Sequence, residues 1–419
     1  MLFAALIPFA KQFNAAFEAY STGPCETVTA FGVDLAVPKQ LPQIIVANNE
    51  TIGLLGRLGR RLAYLPTDGE RPVHPVLPRL GRHLMWLAEY AHSPGQQLIL
   101  SATDLLTTHY ATAMSPYEVG SLTAIDAWID PPAREHGFHA AERAERQAVG
   151  PTPDPTDGVK VHELMQQFNA ARAGRKDPAL VQKLLGPLRA LYEPMVKDTW
   201  NLIWKVIDRE RGRPEAGSVA RRAREDRIAY ANHLNWMAGP VGGRRKTRMN
   251  ARSAAMRLNE WERAQVLLEA EEAVDDPLRM APVLVAGQAV AGEVLRCDAE
   301  RRELIGGRRC KRPSVTLRTQ EPCVMPVGTE LWWTRTADKR EWIISRVVAA
   351  GTGSEVTLIL QTNRTPDVGL PRVVKRACFS QLNTGAGYEV HLPQQTPWTH
   401  LPKEPPPNDT DLESGAETA

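Results

Sequence analysis

Four cations in five residues follow a glycine-rich turn near the middle of the chain. The turn is Gly239–Gly243, and the cations are Arg244, Arg245, Lys246 and Arg248. Glycine lets backbone N–H groups approach an anion, and clustered cations lower the energy of a bound phosphate. A P-loop would have glycine directly before its lysine, but Arg245 occupies that place. The segment predicts phosphate contact; the alternative is a solvated loop between helices.

A second basic cluster directly precedes a strand-like segment, Ser314–Thr319. Arg301 and Arg302 begin the cluster, and its later members are Arg308, Arg309, Lys311 and Arg312. Basic residues at the rim of a small barrel are typical of surfaces that contact a nucleic-acid backbone. We therefore expect the four later cations to form a second phosphate contact.

The spacing Arg308-x-x-x-Arg312 before a barrel resembles the first motif of the PilZ family, which binds cyclic dinucleotides. The resemblance covers five residues. The second motif of that family, Asp/Asn-x-Ser-x-x-Gly, is absent downstream. This resemblance implies an alternative anionic ligand for the second cluster, and a motif needs its structural context to carry that meaning.

Two adjacent tryptophans, Trp332 and Trp333, lie in a strand-like segment near Arg335 and Arg340. Neighbouring strand residues point to opposite faces, so one indole should enter the core and the other should face outward. An outward indole beside arginines can stack on a base. It can equally pack against another part of the protein, because tryptophan is often partly buried for packing alone.

Recognisable catalytic and metal-binding patterns are missing from the sequence. There is no Gly-x-Ser-x-Gly nucleophile elbow and no Gly-x-Gly-x-x-Gly dinucleotide motif. Cys297, Cys310 and Cys323 lack the close pairing of zinc ligands, and His136, His139 and Glu142 suit a polar helix face. We therefore predict no metal and no cofactor, and favour a protein that is not an enzyme. A catalytic centre assembled from distant residues stays open.

The elements that must position these residues change character along the chain. Apolar residues recur at helical spacing over most of the chain from residue 1 to about 285, interrupted by strand-like runs at Thr27–Val37 and Gln43–Val46. Period-two alternation and regular turns follow. This pattern predicts a multidomain α+β chain, mostly helical in its N-terminal and middle regions, followed by a small antiparallel β-barrel or sandwich. The expected domains are 1–150 (mainly helical), 151–285 (helical and basic), 286–395 (barrel-like) and 396–419 (a disordered acidic tail). Three prolines in Pro151–Gly158 mark the expected linker.

The charge distribution favours an anionic ligand more than the total charge does. Of 419 residues, 51 are Lys or Arg and 48 are Asp or Glu, a net charge of only +3. The segment from Lys205 to Arg257, however, contains 14 basic and 5 acidic residues, a local charge of +9. Between Arg296 and Arg318 the counts are 8 and 3, a local charge of +5. These blocks are an electrostatic footprint of the kind that nucleic acids attract.

The five cysteines are sparse and odd in number, and no stretch reaches 18 apolar residues. We therefore expect a cytoplasmic protein without a membrane segment. The leading hypothesis is an accessory protein that binds nucleic acid, or forms a complex, through its basic clusters. One alternative is a non-catalytic scaffold subunit that binds an acidic protein partner. A second alternative is an enzyme with a pocket in the N-terminal domain. The sequence does not separate DNA from RNA.

Overall fold

The computed structural model describes residues 2–30, 32–110, 112, 118–146, 155–173, 178–239, 251–335, 340–362 and 369–382. It combines helices with antiparallel strands in the C-terminal part, which confirms the expected mixed α+β class. The chain divides into two compact units. The first contains Met1–Gly243 and Glu271–Ala286, and the second contains Arg244–Ala270 and Gly287–Ala419.

The first unit is mainly helical. Its helices are α1 (Leu2–Glu18), α2 (Asn49–Leu62), α3 (Val76–Tyr90), α4 (Ala102–His109), α5 (Leu122–Ile129), α6 (Gly137–Glu145), α7 (Pro155–Ala173), α8 (Pro178–Arg211), α9 (Val219–Ala238), the end of α10 (Ala251–Asp275) and α11 (Pro277–Val285). Two small strand pairs accompany them: β1 (Cys25–Ala30) runs antiparallel to β2 (Val33–Pro38), and β3 (Ile44–Val46) runs parallel to β4 (Ile99–Ser101).

Helices α2 and α3 pack with their backbones in close approach. A Cβ at Gly81 would lie 2.3 Å from the backbone N of Ala63, and one at Gly59 would lie 2.6 Å from that of Met85. Only glycine fits at such distances, so these two positions fix how the helices meet. The buried side chains around them, including Leu62 and Leu84, form part of the core of this unit.

Helix α7 begins inside the segment expected to be a linker. Pro155 is its first residue, and Gly158 lies in its first turn. Proline is tolerated there because the first helical N–H groups have no partner within the helix. Residues 151–154 lie outside the described part of the chain.

The second unit is built on six antiparallel strands whose pairing closes into a barrel. The strands of this unit are β5 (Ala289–Asp298), β6 (Arg302–Ile305), β7 (Arg308–Lys311), β8 (Ser314–Arg318), β9 (Glu330–Trp333), β10 (Glu341–Ala350), β11 (Gly353–Leu360) and β12 (Arg376–Ser380). The order round the barrel is β10-β11-β8-β5-β12-β9, and β6 and β7 form a separate two-stranded sheet. The last residues of the expected barrel-like domain and the expected tail, 396–419, lie outside the described residues.

Alternating side chains fill the barrel. Every second residue of β11 is buried, and Trp342 and Phe379 are among the largest fully buried side chains. Their rings lie 5.3 Å apart in an edge-to-face arrangement, a geometry that aromatic pairs favour. This packed core fixes the positions of the strands, and the strands in turn fix where the connections between them begin and end.

The barrel topology sorts the connections between strands into two groups. Because neighbouring strands are antiparallel, the connections 299–313, 334–340 and 361–375 all lie at one end, which we call the ribbon end. The connections 319–329 and 351–352 lie at the opposite end, which we call the far end. Residues 336–339 and 363–368 of the ribbon end lie outside the described chain.

Candidate nucleic-acid interface

A two-stranded β-ribbon, residues 302–311, lies between barrel strands β5 and β8. Its strands β6 and β7 are joined by Gly306 and Gly307, which have φ values of +52° and +78°. Both values are in the left-handed region, so this two-residue turn requires glycine at both positions. The turn therefore places two short strands of mostly polar sequence side by side at the ribbon end.

The pairing register places cations on both faces of the ribbon. Arg302 lies opposite Lys311, and Ile305 lies opposite Arg308. Directly opposed residues share a face and consecutive residues alternate, so Arg308 and Arg309 point to opposite faces. A ligand could thus meet positive charge on either side of the ribbon.

Some of these cations are neutralised within the protein and others are not. Lys311 Nζ lies 2.8 Å from Glu300, and Arg301 lies 3.3 Å from Glu303. In contrast, the exposed side chains of Arg302, Arg308 and Arg309 form no ion pair in the described part of the chain. Within the described part of the chain, these three guanidinium groups are therefore not neutralised by an ion pair.

Further cations lie at the ribbon end. The connection before β12 exposes Arg372 and Lys375, and Arg376 is the first residue of that strand. Backbone hydrogen bonds hold this segment against β5: the N–H of Val374 donates to the carbonyl of Val294, and the N–H of Val294 donates to that of Lys375, both at 2.9 Å. The ribbon end therefore combines charge from segments separated along the sequence by about 60 residues.

The adjacent tryptophans take opposite sides of β9, as the strand period predicts. Trp333 is 6% exposed and belongs to the barrel core, so its ring is not available to a base. Trp332 is half-buried on the outer side, opposite Glu341 of β10 and Ser380 of β12. Trp332 alone remains a candidate for stacking.

The four cations Arg244, Arg245, Lys246 and Arg248 lie outside the described residues, within 240–250. Their predicted phosphate contact stays a prediction. Arg312 follows β7, where its backbone N–H donates to the carbonyl of Arg301 at 2.8 Å. Its Nε is buried and has no hydrogen-bond partner among the described residues, so Arg312 is less accessible than the ribbon arginines.

A buried polar cluster in the first unit is the nearest counterpart to an enzyme site. His83 Nδ1 lies 3.0 Å from His233 Nε2, and His83 Nε2 lies 2.7 Å from a carboxylate oxygen of Glu18. Arg79 pairs with the same carboxylate. The His233 ring stacks on Trp86 with centroids 4.1 Å apart. Both histidines are almost fully buried, whereas Glu18 and Arg79 reach solvent, so the two imidazoles themselves are covered by protein.

Burial controls the protonation of this cluster. It lowers the pKa of His233 to about 2, helped by the neighbouring His83, and it also lowers the pKa of His83. Burial by itself would raise the pKa of Glu18, but hydrogen bonds from His83 and Arg79 outweigh it and lower the value to about 2. Both imidazoles are therefore neutral at pH 7, and Glu18 is charged.

No group of three or more His, Cys, Asp or Glu side chains suited to a metal ion occurs in the described ranges. All five cysteines are free thiols. Among the helices that the structure describes, none has the length and apolar character needed to span a bilayer.

Comparison with known proteins gave no relative for this chain. No family model matches it, and neither a curated protein nor a solved structure matches it. The function must be inferred from the charges and contacts of the described residues.

Sequence reasoning found the ribbon cations but missed the ribbon. The signal was present in Leu304-Ile305-Gly306-Gly307-Arg308, because Gly-Gly between two short strand-like runs is a hairpin pattern. Arg372, Lys375 and Arg376 were missed as site residues because only the barrel topology places them at the same end as the ribbon.

Proposed function

We propose that this protein binds nucleic acid through the ribbon end of its C-terminal barrel and has no catalytic centre there. The supporting observation is the set of three exposed arginines, Arg302, Arg308 and Arg309, that lack an ion-pair partner in the described chain. Each guanidinium can form two parallel hydrogen bonds with a phosphate. Neutralising phosphates releases counterions, which makes such contacts favourable.

The shape of the ribbon favours duplex DNA as the ligand. The major groove of B-DNA admits a two-stranded β-ribbon, whereas the deep groove of A-form RNA is too narrow for side chains to read. Because cations lie on both faces of the ribbon, one inserted ribbon can reach both backbones that border the groove. Arg372 and Lys375 add charge at the same end of the barrel for further phosphate contacts.

An accessory role in the cytoplasm is part of the same proposal. Five free cysteines fit a reducing compartment. A phosphate-binding surface without a catalytic group suits a protein that holds nucleic acid for other factors. A scaffold that binds an acidic protein partner would use the same arginines, and the experiment below separates the two.

The test is binding of labelled nucleic acids to the full chain by fluorescence anisotropy at one fixed salt concentration. The ligands are duplex DNA, single-stranded DNA and duplex RNA, each in two unrelated sequences. We expect duplex DNA to bind most tightly and both sequences to bind alike, because phosphates carry no sequence information. Arg308→Ala with Arg309→Ala should weaken binding to both sequences equally.

The matched control removes two arginines from elsewhere on the barrel, with Arg318→Ala and Arg346→Ala. Both control residues are exposed, and Arg318 already pairs with Glu355. The control should retain affinity within about threefold, because it loses equal net charge without losing ribbon contacts. Equal losses of DNA affinity in the two variants would mean that binding depends on net charge and not on the ribbon. Absence of binding by the unmodified protein to all three ligands would refute it.

A further inference from the structure

Helix α8 carries a groove of about 680 Å³ along one face, in the first unit and separate from the barrel. All of the described residues that line it belong to this one helix, between Gln182 and Trp200. Two prolines, Pro187 and Pro194, lie within the helix. Proline removes a backbone donor within a helix and favours a kink at its position.

The groove exposes large apolar side chains to solvent. Trp200 is 60% exposed, Val196 is 53% exposed and Leu185 is 42% exposed. Completely burying one such side chain is worth about 1.5–3 kcal/mol. An apolar row of this kind, bordered by charged residues, is typical of a surface that another protein covers.

Eight of the ten described groove residues lie in pairs at equal distances from Leu191, and Leu188 and Tyr192 have no counterpart in the groove. Arg189 and Glu193 lie two positions on either side of it, and Gly186 and Val196 lie five positions on either side. Gln182 and Trp200 are nine positions away in each direction. In a two-fold interface the same surface of both copies meets, so that residue i contacts residue j of the partner copy and residue j contacts residue i.

We propose that the groove of α8 binds the same groove of a second copy of this chain, with the two helices antiparallel. A two-fold axis beside Leu191 would place Arg189 against Glu193 of the second copy, and Glu193 against its Arg189. Val196 would meet Gly186 of the second copy. A Cβ built on Gly186 has open space around it, so the groove has room there for a valine side chain.

The charges of the groove favour this occupant over an unrelated protein. Arg189 and Glu193 are exposed, and in the described ranges neither forms an ion pair. Only a partner with the opposite order of charges satisfies both residues at once, and the antiparallel second copy supplies that order. This proposal is independent of nucleic-acid binding, because it uses neither the barrel nor its ribbon.

The test is sedimentation velocity of the full chain after nuclease treatment, over concentrations from about 1 to 100 μM. The unmodified protein should change from monomer to dimer within this range. Glu193→Arg should raise the dimer Kd at least about tenfold, because two attractive cross-pairs become repulsive. Adding Arg189→Glu should restore most of the affinity, because the reversed pairs are again complementary.

Asp198→Arg is the matched control. It makes the same change of charge on an exposed residue of α8 outside the groove, and it should leave the dimer unchanged. Circular dichroism of each variant verifies that the helices are retained. A protein that stays monomeric at every concentration contradicts the proposal. So does a dimer that Glu193→Arg and Asp198→Arg weaken equally, or one that the double reversal fails to restore.

Discussion

The two ends of the six-stranded barrel differ in charge although the same strands form both. At the ribbon end, Arg302, Arg308 and Arg309 are exposed without an ion-pair partner among the residues described. The far-end connections, 319–329 and 351–352, contain neither Lys nor Arg. Arg318, which ends β8 at the far end, pairs with Glu355 at 2.9 Å.

This difference separates charge that the fold already neutralises from charge that it leaves for a ligand. A surface ion pair such as Arg318–Glu355 adds little to stability, and it offers little attraction to an outside anion. Arginines without an ion-pair partner, concentrated at one end of a barrel, attract an anionic ligand more strongly than paired ones do. They also add nothing to the barrel core, so their concentration at one end calls for a reason other than folding.

Reversing the charge of the ribbon should have the largest effect. Arg302→Glu, Arg308→Glu and Arg309→Glu together should weaken duplex DNA binding by roughly a thousandfold or more at about 50 mM salt, because three phosphate contacts are lost and repulsion replaces them. Anisotropy titration measures the change. The far-end reversal Arg318→Glu should alter affinity by less than about threefold, and a comparable loss there would remove the distinction between the two ends.

A substitution in the buried histidine cluster should change stability instead of binding. His83→Ala removes contacts with both His233 and Glu18, and should lower the free energy of unfolding by about 3 kcal/mol. Urea denaturation followed by circular dichroism measures this loss. The exposed His92→Ala should change stability by about 0.5 kcal/mol or less. A lower DNA affinity of still-folded His83→Ala would mean that the cluster takes part in binding.

Acid should destabilise the first unit through the same cluster. His233 has a native pKa of about 2, whereas an unfolded histidine titrates near its ordinary value of 6.5. Between these values the unfolded chain binds more protons, so stability is lost as pH falls below about 6.5. The slope is about 1.4 kcal/mol per pH unit for each such proton. His83, whose pKa is also lowered, adds to this loss.

Asp226 opposes part of the acid effect. Burial raises its pKa to about 6, despite hydrogen bonds from Tyr90 and the backbone N–H of Gln97. Protonated Asp226 therefore stabilises the folded state at low pH, and this contribution to the free energy of unfolding is lost as pH rises towards 6. Urea midpoints from pH 4.5 to 7 should still decrease towards acid, and His233→Asn should flatten the dependence by about one proton. An unchanged slope in that variant would show that His233 is not the group responsible.

Replacing the half-buried tryptophan on the outer side of the barrel should have the smallest effect. Trp332→Ala should weaken single-stranded DNA binding about fivefold, near the lower limit for one stacked base, with duplex DNA affinity unaltered. Anisotropy with the two ligands provides both values. If neither ligand is affected, Trp332 only packs on the barrel surface.

The sequence predicted local features of this fold better than the relations between distant ones. Alternation in β9 correctly placed one of Trp332 and Trp333 in the core, because the strand period is a local property. The helical N-terminal region followed from apolar spacing in the same way. Pro155 shows a limit of such reasoning: prolines indicate a break, but they also begin helices, and α7 starts there.

The ribbon end could not be predicted because it depends on which strands pair. Lys375 and Arg309 are far apart in sequence, and only the antiparallel order of the barrel places both at one end. The ion pairs were equally unpredictable, since nothing in the sequence distinguishes Lys311, which pairs with Glu300, from Arg309, which has no ion-pair partner among the described residues.

The salt dependence of duplex DNA binding tests the central claim most directly. Anisotropy titrations at several salt concentrations should give a linear plot of log affinity against log salt for the unmodified protein. Arg308→Ala with Arg309→Ala should flatten its slope by roughly 1.8 units, because each lost phosphate contact on duplex DNA removes about 0.9. The slope of Arg318→Ala with Arg346→Ala should be unchanged. Equal slopes for the unmodified protein and the ribbon variant would contradict phosphate binding by the ribbon.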